Sequence, residues 1–309
     1  MRLLQLALAL CLLLPWAAHA QTASETKALA TLSADALARS PAKKIFGAMT
    51  RPPASMAARA IGSYAKGCMA GGKALAVDGP AWQVMRLSRN RNWGQPAMID
   101  VVERLAVEAK KYDGWNGLLV GDLAQPRGGP MLSGHASHQV GLDADVWLTP
   151  MPHRLLSRDE REKISARLVV KDRKLMDYGV WTEAHARLIK RAASYPEVAR
   201  IFAHPPIKAE LCKWATGDRS WLAKVRPYYG HNYHFHIRIN CPKGSPACKN
   251  QAPARPKDGT GCGEELAYWM GDIPWAKKKP DPNAKPPKPA PPLTLSALPA
   301  ECRAVVTAE

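Results

Sequence analysis

The chain has 309 residues, enough for one large domain or two small ones, and its 44 Lys and Arg against 26 Asp and Glu leave a formal charge of +18. So basic a balance favours an anionic partner such as a cell-wall polymer or a membrane surface. It does not favour nucleic acid, because no basic run is interleaved with aromatic residues as a stacking platform requires.

The chain opens with Arg2, an apolar run from Leu3 to Leu14, and the small-x-small step Ala18-His19-Ala20. This is the pattern of a secretory signal peptide over residues 1–20, too short and wrongly flanked for a membrane anchor. No later stretch is long and apolar enough to span a bilayer. Beyond the signal six cysteines remain: Cys68, Cys212, Cys241, Cys248, Cys262 and Cys302. An even number in an exported chain implies disulfides, and the residues alone leave the pairing open. Cys241 and Cys248 flank a turn-rich loop that can close locally. A cysteine zinc site is disfavoured, because no C-x-x-C pair occurs.

Residues 21–60 are Ala-rich and predict only a short helix or two, and 61–84 read as turns and short strands. A helix is predicted over Pro96–Tyr112, where Met98, Val101, Val102, Leu105, Ala106 and Ala109 recur at helical spacing behind an initiating proline. Residues 118–123 predict a buried strand, which feeds the loop Pro126-Arg127-Gly128-Gly129-Pro130. A strand follows over 143–148, then helices over 157–169, 183–195, 197–203 and 207–215, a last turn over 221–225, and a strand over 234–240. From Lys277 the composition turns to Pro and Lys, which predicts an extended, polyproline-like tail. The expected architecture is one α+β domain over 21–273, a small antiparallel sheet with flanking helices, then a C-terminal strap over 274–309.

Two clusters carry the chemistry. Gly134-His135-Ala136-Ser137-His138-Gln139-Val140-Gly141-Leu142-Asp143-Ala144-Asp145 gathers two histidines and two aspartates among small residues, and His231-Asn232-Tyr233-His234-Phe235-His236 adds three histidines. Strand alternation places Asp143, Asp145 and Trp147 on one face, and His234, His236 and Arg238 on one face of the later strand. If the two strands share a sheet, their aliphatic sides pack on helices and their polar sides meet in a cleft. Imidazole and carboxylate together suit zinc, and a catalytic zinc keeps three protein ligands and one open position.

The segment Ser137-His138-Gln139-x-Gly141-x-Asp143-x-Asp145 with His234-x-His236 resembles the zinc peptidases grouped with lysostaphin, D-alanyl-D-alanine peptidases and the sonic hedgehog amino-terminal domain. Ser88-Arg89-Asn90-Arg91-Asn92, Lys224-Val225-Arg226-Pro227 and Gly261-Cys262-Gly263 extend the resemblance, within that group, to the penicillin-insensitive murein endopeptidases over nearly the whole mature chain. The resemblance implies a zinc held by His138, Asp145 and His236, with His234 as general base or orienting residue and His231 nearby. It implies hydrolysis of the D-alanyl–meso-diaminopimelyl cross-link of peptidoglycan in the periplasm, and the pairs Cys68–Cys302, Cys212–Cys262 and Cys241–Cys248. It also implies a second zinc at a homodimer interface, corresponding to His135 and Asp172. This chain departs there, with Leu175 where another interface histidine is expected. The competing readings are a D,D- or L,D-carboxypeptidase of the same group and a non-catalytic, zinc-stabilised wall-binding protein.

Asp143 is expected to orient a ligand histidine or to cap locally. His231 is a further candidate for stabilising an oxyanion. Arg127 and Arg226 read as solvated charges before substrate-carboxylate partners. Trp115, Trp147 and Trp221 read as core, and His153, His185 and His204 as surface or structural residues.

Overall fold

The computed structural model describes residues 32–47, 52–276 and 290–308. The expected signal segment and most of the Pro/Lys-rich run lie outside them. Two short helices, α1 (Ala34–Arg39) and α2 (Ala42–Gly47), precede the hairpin β1 (Arg59–Ser63) and β2 (Lys66–Ala70). Short strands β3 (Lys73–Ala74), β4 (Asp78–Gly79), β5 (Trp82–Val84) and β6 (Trp93–Gly94) lead to α3 (Pro96–Tyr112). Then come β7 (Leu118–Val120), β8 (Asp143–Pro150), α4 (Arg158–Lys163), α5 (Glu183–Ser194), β9 (Val198–Ala203), α6 (Pro205–Trp214), β10 (Val225–Pro227) and β11 (His234–Ile239). Helices α7 (Glu264–Met270) and α8 (Glu301–Thr307) close the chain. No helix among the described residues is long and apolar enough to cross a membrane.

The α+β class holds, but the sheet is neither small nor purely antiparallel. Seven strands align in the order β10-β9-β11-β8-β7-β5-β4. The pairs β10–β9 and β7–β5 are parallel, and the rest are antiparallel. Part of the excess comes from residues 197–203, expected as helix, which form β9 instead. Val198, Ile201 and Phe202 suit a strand, and the slot between β10 and β11 overrides the local helical pattern. The helix expected over 157–169 stops at Lys163. Its start is a capping box between Ser157 and Glu160. Its end is taken up by Arg86, whose guanidinium donates to the carbonyls of Arg161, Glu162 and Ile164.

The main core lies on one side of the sheet. Ala144, Val146 and Leu148 of β8 and Phe235, Ile237 and Ile239 of β11 bury against Val101, Val102 and Leu105 of α3 and Leu188 and Ile189 of α5. Trp115 and Trp221 belong to this core. His185 is buried as well. Its Nδ1 accepts the Thr182 N–H at the start of α5, and its Nε2 donates to the Leu148 carbonyl at 3.0 Å.

A second, smaller core joins the two ends of the chain. Leu37, Ile45, Phe46, Ile61, Leu298 and Val305 pack together around the disulfide Cys68–Cys302, which spans 234 residues. Arg127 is not solvated. It is 2% exposed and reaches this core, where Nη1 donates to the carbonyls of Val305, Val306 and Ala308 and Nε to that of Pro52. Arg226 is not a free surface charge either, since it pairs with Glu265. The remaining disulfides are Cys212–Cys262 and Cys241–Cys248.

Lys208 on α6 is fully buried and donates to the carbonyls of Leu222 and Thr260 at 2.6 and 2.7 Å. Burial pulls its ammonium from the usual 10.5 down to about 7. In the unfolded chain the lysine returns to about 10.5, so between pH 7 and that value the unfolded state binds more protons. Stability therefore rises with pH across this window, by a total on the order of 3 kcal/mol. Urea unfolding at pH 7 and pH 10 checks this: Lys208→Met should show a flatter pH dependence than the parent chain. Parallel profiles would show that Lys208 does not titrate there.

Candidate metal centre

The site sits on the polar face of β8 and β11. Register pairs His236 with Asp145 and Arg238 with Asp143, so alternate residues of both strands line up across the sheet. His138 enters from the loop before β8 with φ of +66°, a left-handed conformation that few side chains adopt without support. The support is Asp143, whose Oδ2 accepts the His138 N–H at 3.0 Å. Gly141, at φ of +72°, completes the turn. A Cβ there would press on the Gln95 backbone nitrogen at 2.9 Å as well as on Met69 Sδ, and the left-handed φ itself favours glycine.

Three atoms converge. Asp145 Oδ1 lies 3.5 Å from His138 Nε2 and 3.4 Å from His236 Nδ1. His138 Nε2 and Asp145 Oδ1 are buried without a hydrogen-bond partner, which is costly unless something else binds them. Each imidazole is fixed through its other nitrogen. His138 Nδ1 donates to the Leu123 carbonyl at 2.8 Å, and His236 Nε2 donates to Asp143 Oδ1 at 2.7 Å. Both therefore present a lone pair inward, the arrangement that orients metal-ligating histidines elsewhere.

His135 is also close. His135, His138 and Asp145 offer ligand atoms within 4.8 Å of one another, a group able to hold a metal ion. His135 Nε2, however, lies 3.1 Å from Asp122 Oδ2 and 3.4 Å from Asp145 Oδ2. His236 Nδ1 lies as near the Asp145 carboxylate as His135 does, at 3.4 Å, so both imidazoles border the same centre. Asp122 was missed in the sequence, although an acid just beyond a buried apolar strand is a readable signal. It is 4% exposed, and its Oδ2 also accepts from Arg89 at 3.0 Å and Arg91 at 2.8 Å.

The electrostatics attract a cation. Burial pushes the Asp145 carboxyl up, but His234 and His138 outweigh it and hold the group well below the carboxylate range. Asp143 is held low likewise, by His236 and Arg238 against burial. Burial pushes His231, His234 and His236 each down to about 4, so all three are neutral near pH 7. His138 goes the other way, because Asp145 and Asp143 raise it against burial.

His234 stands beside the group, with Nε2 3.7 Å from Asp145 Oδ1 and its ring 4.9 Å from that of His231. His231 Nδ1 donates to the Tyr229 carbonyl, which leaves its neutral Nε2 an acceptor. Asp172 caps its own turn, its Oδ1 accepting from the N–H groups of Lys174 and Leu175. Two recesses flank the centre. One of about 260 Å³ is lined by Arg86, Arg89, Asp122, Trp147, Tyr233 and His234. The other, about 320 Å³, is lined by Phe202, Tyr228, His231, His236, Arg238 and Gln251. Trp147 is thus wall as well as core, with the Arg86 guanidinium 5.5 Å from its ring.

The family profile described as penicillin-insensitive murein endopeptidase matches residues 60–307. Relatives bearing that name include one from Haemophilus influenzae, 47% identical over 75% of this chain and 78% of its own length. One from Klebsiella pneumoniae is 40% identical over 81% and 90%, and one from Yersinia enterocolitica 39% over 82% and 87%.

Proposed function

The chain belongs to the penicillin-insensitive murein endopeptidase family, and we propose that it is a zinc-dependent hydrolase of the D-alanyl–meso-diaminopimelyl cross-link, working in the periplasm. The observation that carries this reading is the convergence of His138 Nε2, Asp145 Oδ1 and His236 Nδ1, two of them buried without partners. These three residues would hold the ion, and their nitrogen and oxygen donors suit zinc. When bound, zinc makes water acidic enough to supply hydroxide near neutral pH and polarises a carbonyl.

The chain's own groups do the rest. His234, kept neutral by burial, takes the proton of the attacking water at Nε2 and passes it to the leaving amine. His231, held by Tyr229, steadies His234 and offers a second acceptor at Nε2. Asp143 keeps His236 and His138 in place. A recess on either side of the centre suits a substrate that continues in both directions, which supports endopeptidase over carboxypeptidase. The second, interface zinc suggested by His135 and Asp172 is not part of this proposal, because Leu175 stands where a further interface histidine is expected.

The test is digestion of purified cross-linked sacculi by the mature protein, read by muropeptide mass. Dimers should disappear and intact monomers accumulate. Chelator should abolish the change, zinc should restore it, and His138→Ala should be inactive throughout. Trimming of a terminal residue with dimers untouched would point to a carboxypeptidase. No change with zinc bound stoichiometrically would leave a wall-binding protein and sink the catalytic reading.

A further inference from the structure

We propose that the recess beside His236 leads to an anion-binding subsite at its edge, where Arg200 recognises a carboxylate of the substrate's stem peptide. The inference rests on the reading of the chain as a peptidoglycan hydrolase.

The geometry begins with register. On the polar face of the sheet, Arg238 of β11 pairs with Arg200 of β9, and Phe202 of β9 pairs with both His236 of β11 and Arg226 of β10. Arginines therefore stand on three successive strands, leading away from the metal centre. Strand rise places Arg200 and Arg238 about 7 Å along the sheet from the His236 row, within reach of one or two extended substrate residues.

Two of the three guanidiniums are committed. Arg238, 7% exposed, donates Nε to Asp143 at 2.7 Å and Nη1 to Gln251 at 2.8 Å, clasped between the rings of Tyr64 and Phe202. Arg226 pairs with Glu265. Arg200 has no acidic partner among the described residues. Its Nη2 donates to the Ala252 carbonyl at 2.7 Å, and its guanidinium lies 5.9 Å from the Phe202 ring. Three cations and two carboxylates leave one positive charge in excess. Burial first, then the charges of Arg226 and Arg238, pull Arg200 below the ordinary arginine range. A bound anion relieves that repulsion. Phe202 and Arg238 line the recess, and Arg200, cross-strand from Arg238 and one alternate position before Phe202, stands at its edge.

A stem peptide offers three carboxylates, on the γ-linked D-glutamate, on diaminopimelate and on the terminal D-alanine, and the test separates them. An uncross-linked tetrapeptide is titrated calorimetrically into zinc-loaded mature protein in four forms: free, amidated at the glutamate, amidated at diaminopimelate, and amidated at the terminal alanine. One amidation should weaken binding about tenfold. Arg200→Gln should weaken the free peptide by about the same factor and leave the relevant amidated form unchanged, as expected for a charge-assisted hydrogen bond. Arg200→Lys should recover part of the loss. On cross-linked dimers, the Gln variant should raise KM with kcat within twofold. Equal binding of free and amidated peptides, or equal weakening of all four forms by Arg200→Gln, would overturn the subsite. Discrimination that depends on Arg200 in a protein that leaves cross-links intact would uphold the subsite and refute the hydrolase.

Discussion

Replacing Asp143 with alanine is expected to remove the metal and to destabilise the fold together. This carboxylate is fully buried and serves three groups: Oδ1 accepts from His236 Nε2 and Arg238 Nε, and Oδ2 accepts from the His138 backbone. Without it, His236 loses the bond that sets its ring and tautomer, and His138 loses the support of its left-handed backbone. Loss of such an outer partner typically lowers metal affinity 10- to 100-fold, and here two of the three proposed ligands are affected. The Arg238 charge is left buried without its carboxylate, which costs about 3–5 kcal/mol. Competition with a chromophoric chelator should show zinc affinity down by about 100-fold or more. Urea unfolding of the metal-free protein should show the stability loss separately. Asp143→Asn should lie between the two, since its amide oxygen accepts but carries no charge for Arg238. Zinc affinity within threefold of the parent would refute the orienting role, whatever happened to stability.

The second large effect is expected at Arg127, far from the chemistry. Its guanidinium collects the carbonyls of Val305, Val306 and Ala308 at the end of α8, and that of Pro52. These are the acceptors that a helix leaves open at its C-terminus, and they lie in the interior. Arg127→Met preserves much of the bulk but leaves the buried acceptors without a donor, for about 3–5 kcal/mol. The readout is urea unfolding with the disulfides intact, alongside amide exchange in α8. A loss under about 1 kcal/mol would mean that water replaces the guanidinium and that the clasp is incidental. The loss should reach the site as well. The Arg127 carbonyl accepts from Met69, and Gly129, two residues on, lies so close to the Phe46 ring that a Cβ would meet it at 2.1 Å. The loop that delivers His138 is thus seated on the small core.

The strands that carry the centre were legible because alternation is a local property. Asp143, Asp145 and Trp147 share a face of β8, and His234, His236 and Arg238 share a face of β11, by the geometry of a strand alone. What alternation lacks is the neighbour. Residues 197–203 have a helical pattern, and only the open slot between β10 and β11 makes them a strand. Arg127 appears in a Gly- and Pro-rich loop, where a charge normally meets water. Three of its partners lie 178 to 181 residues later and the fourth 75 earlier, beyond the reach of any local pattern. Asp122 is similar, a hub only once Arg89, Arg91 and His135 have folded around it.

The pairing of Cys68 with Cys302 bears on the order in which the molecule becomes competent. A chain delivered from its N-terminus presents Cys68, Arg127 and every proposed zinc ligand while α8 is still to come. Until that helix arrives, the thiol has no mate and the guanidinium lacks the carbonyls of Val305, Val306 and Ala308. Arrival of α8 is thereby coupled to seating of the loop that carries His138. A chain lacking α8 would keep every proposed ligand and lose the disulfide and the carbonyls that fasten that loop.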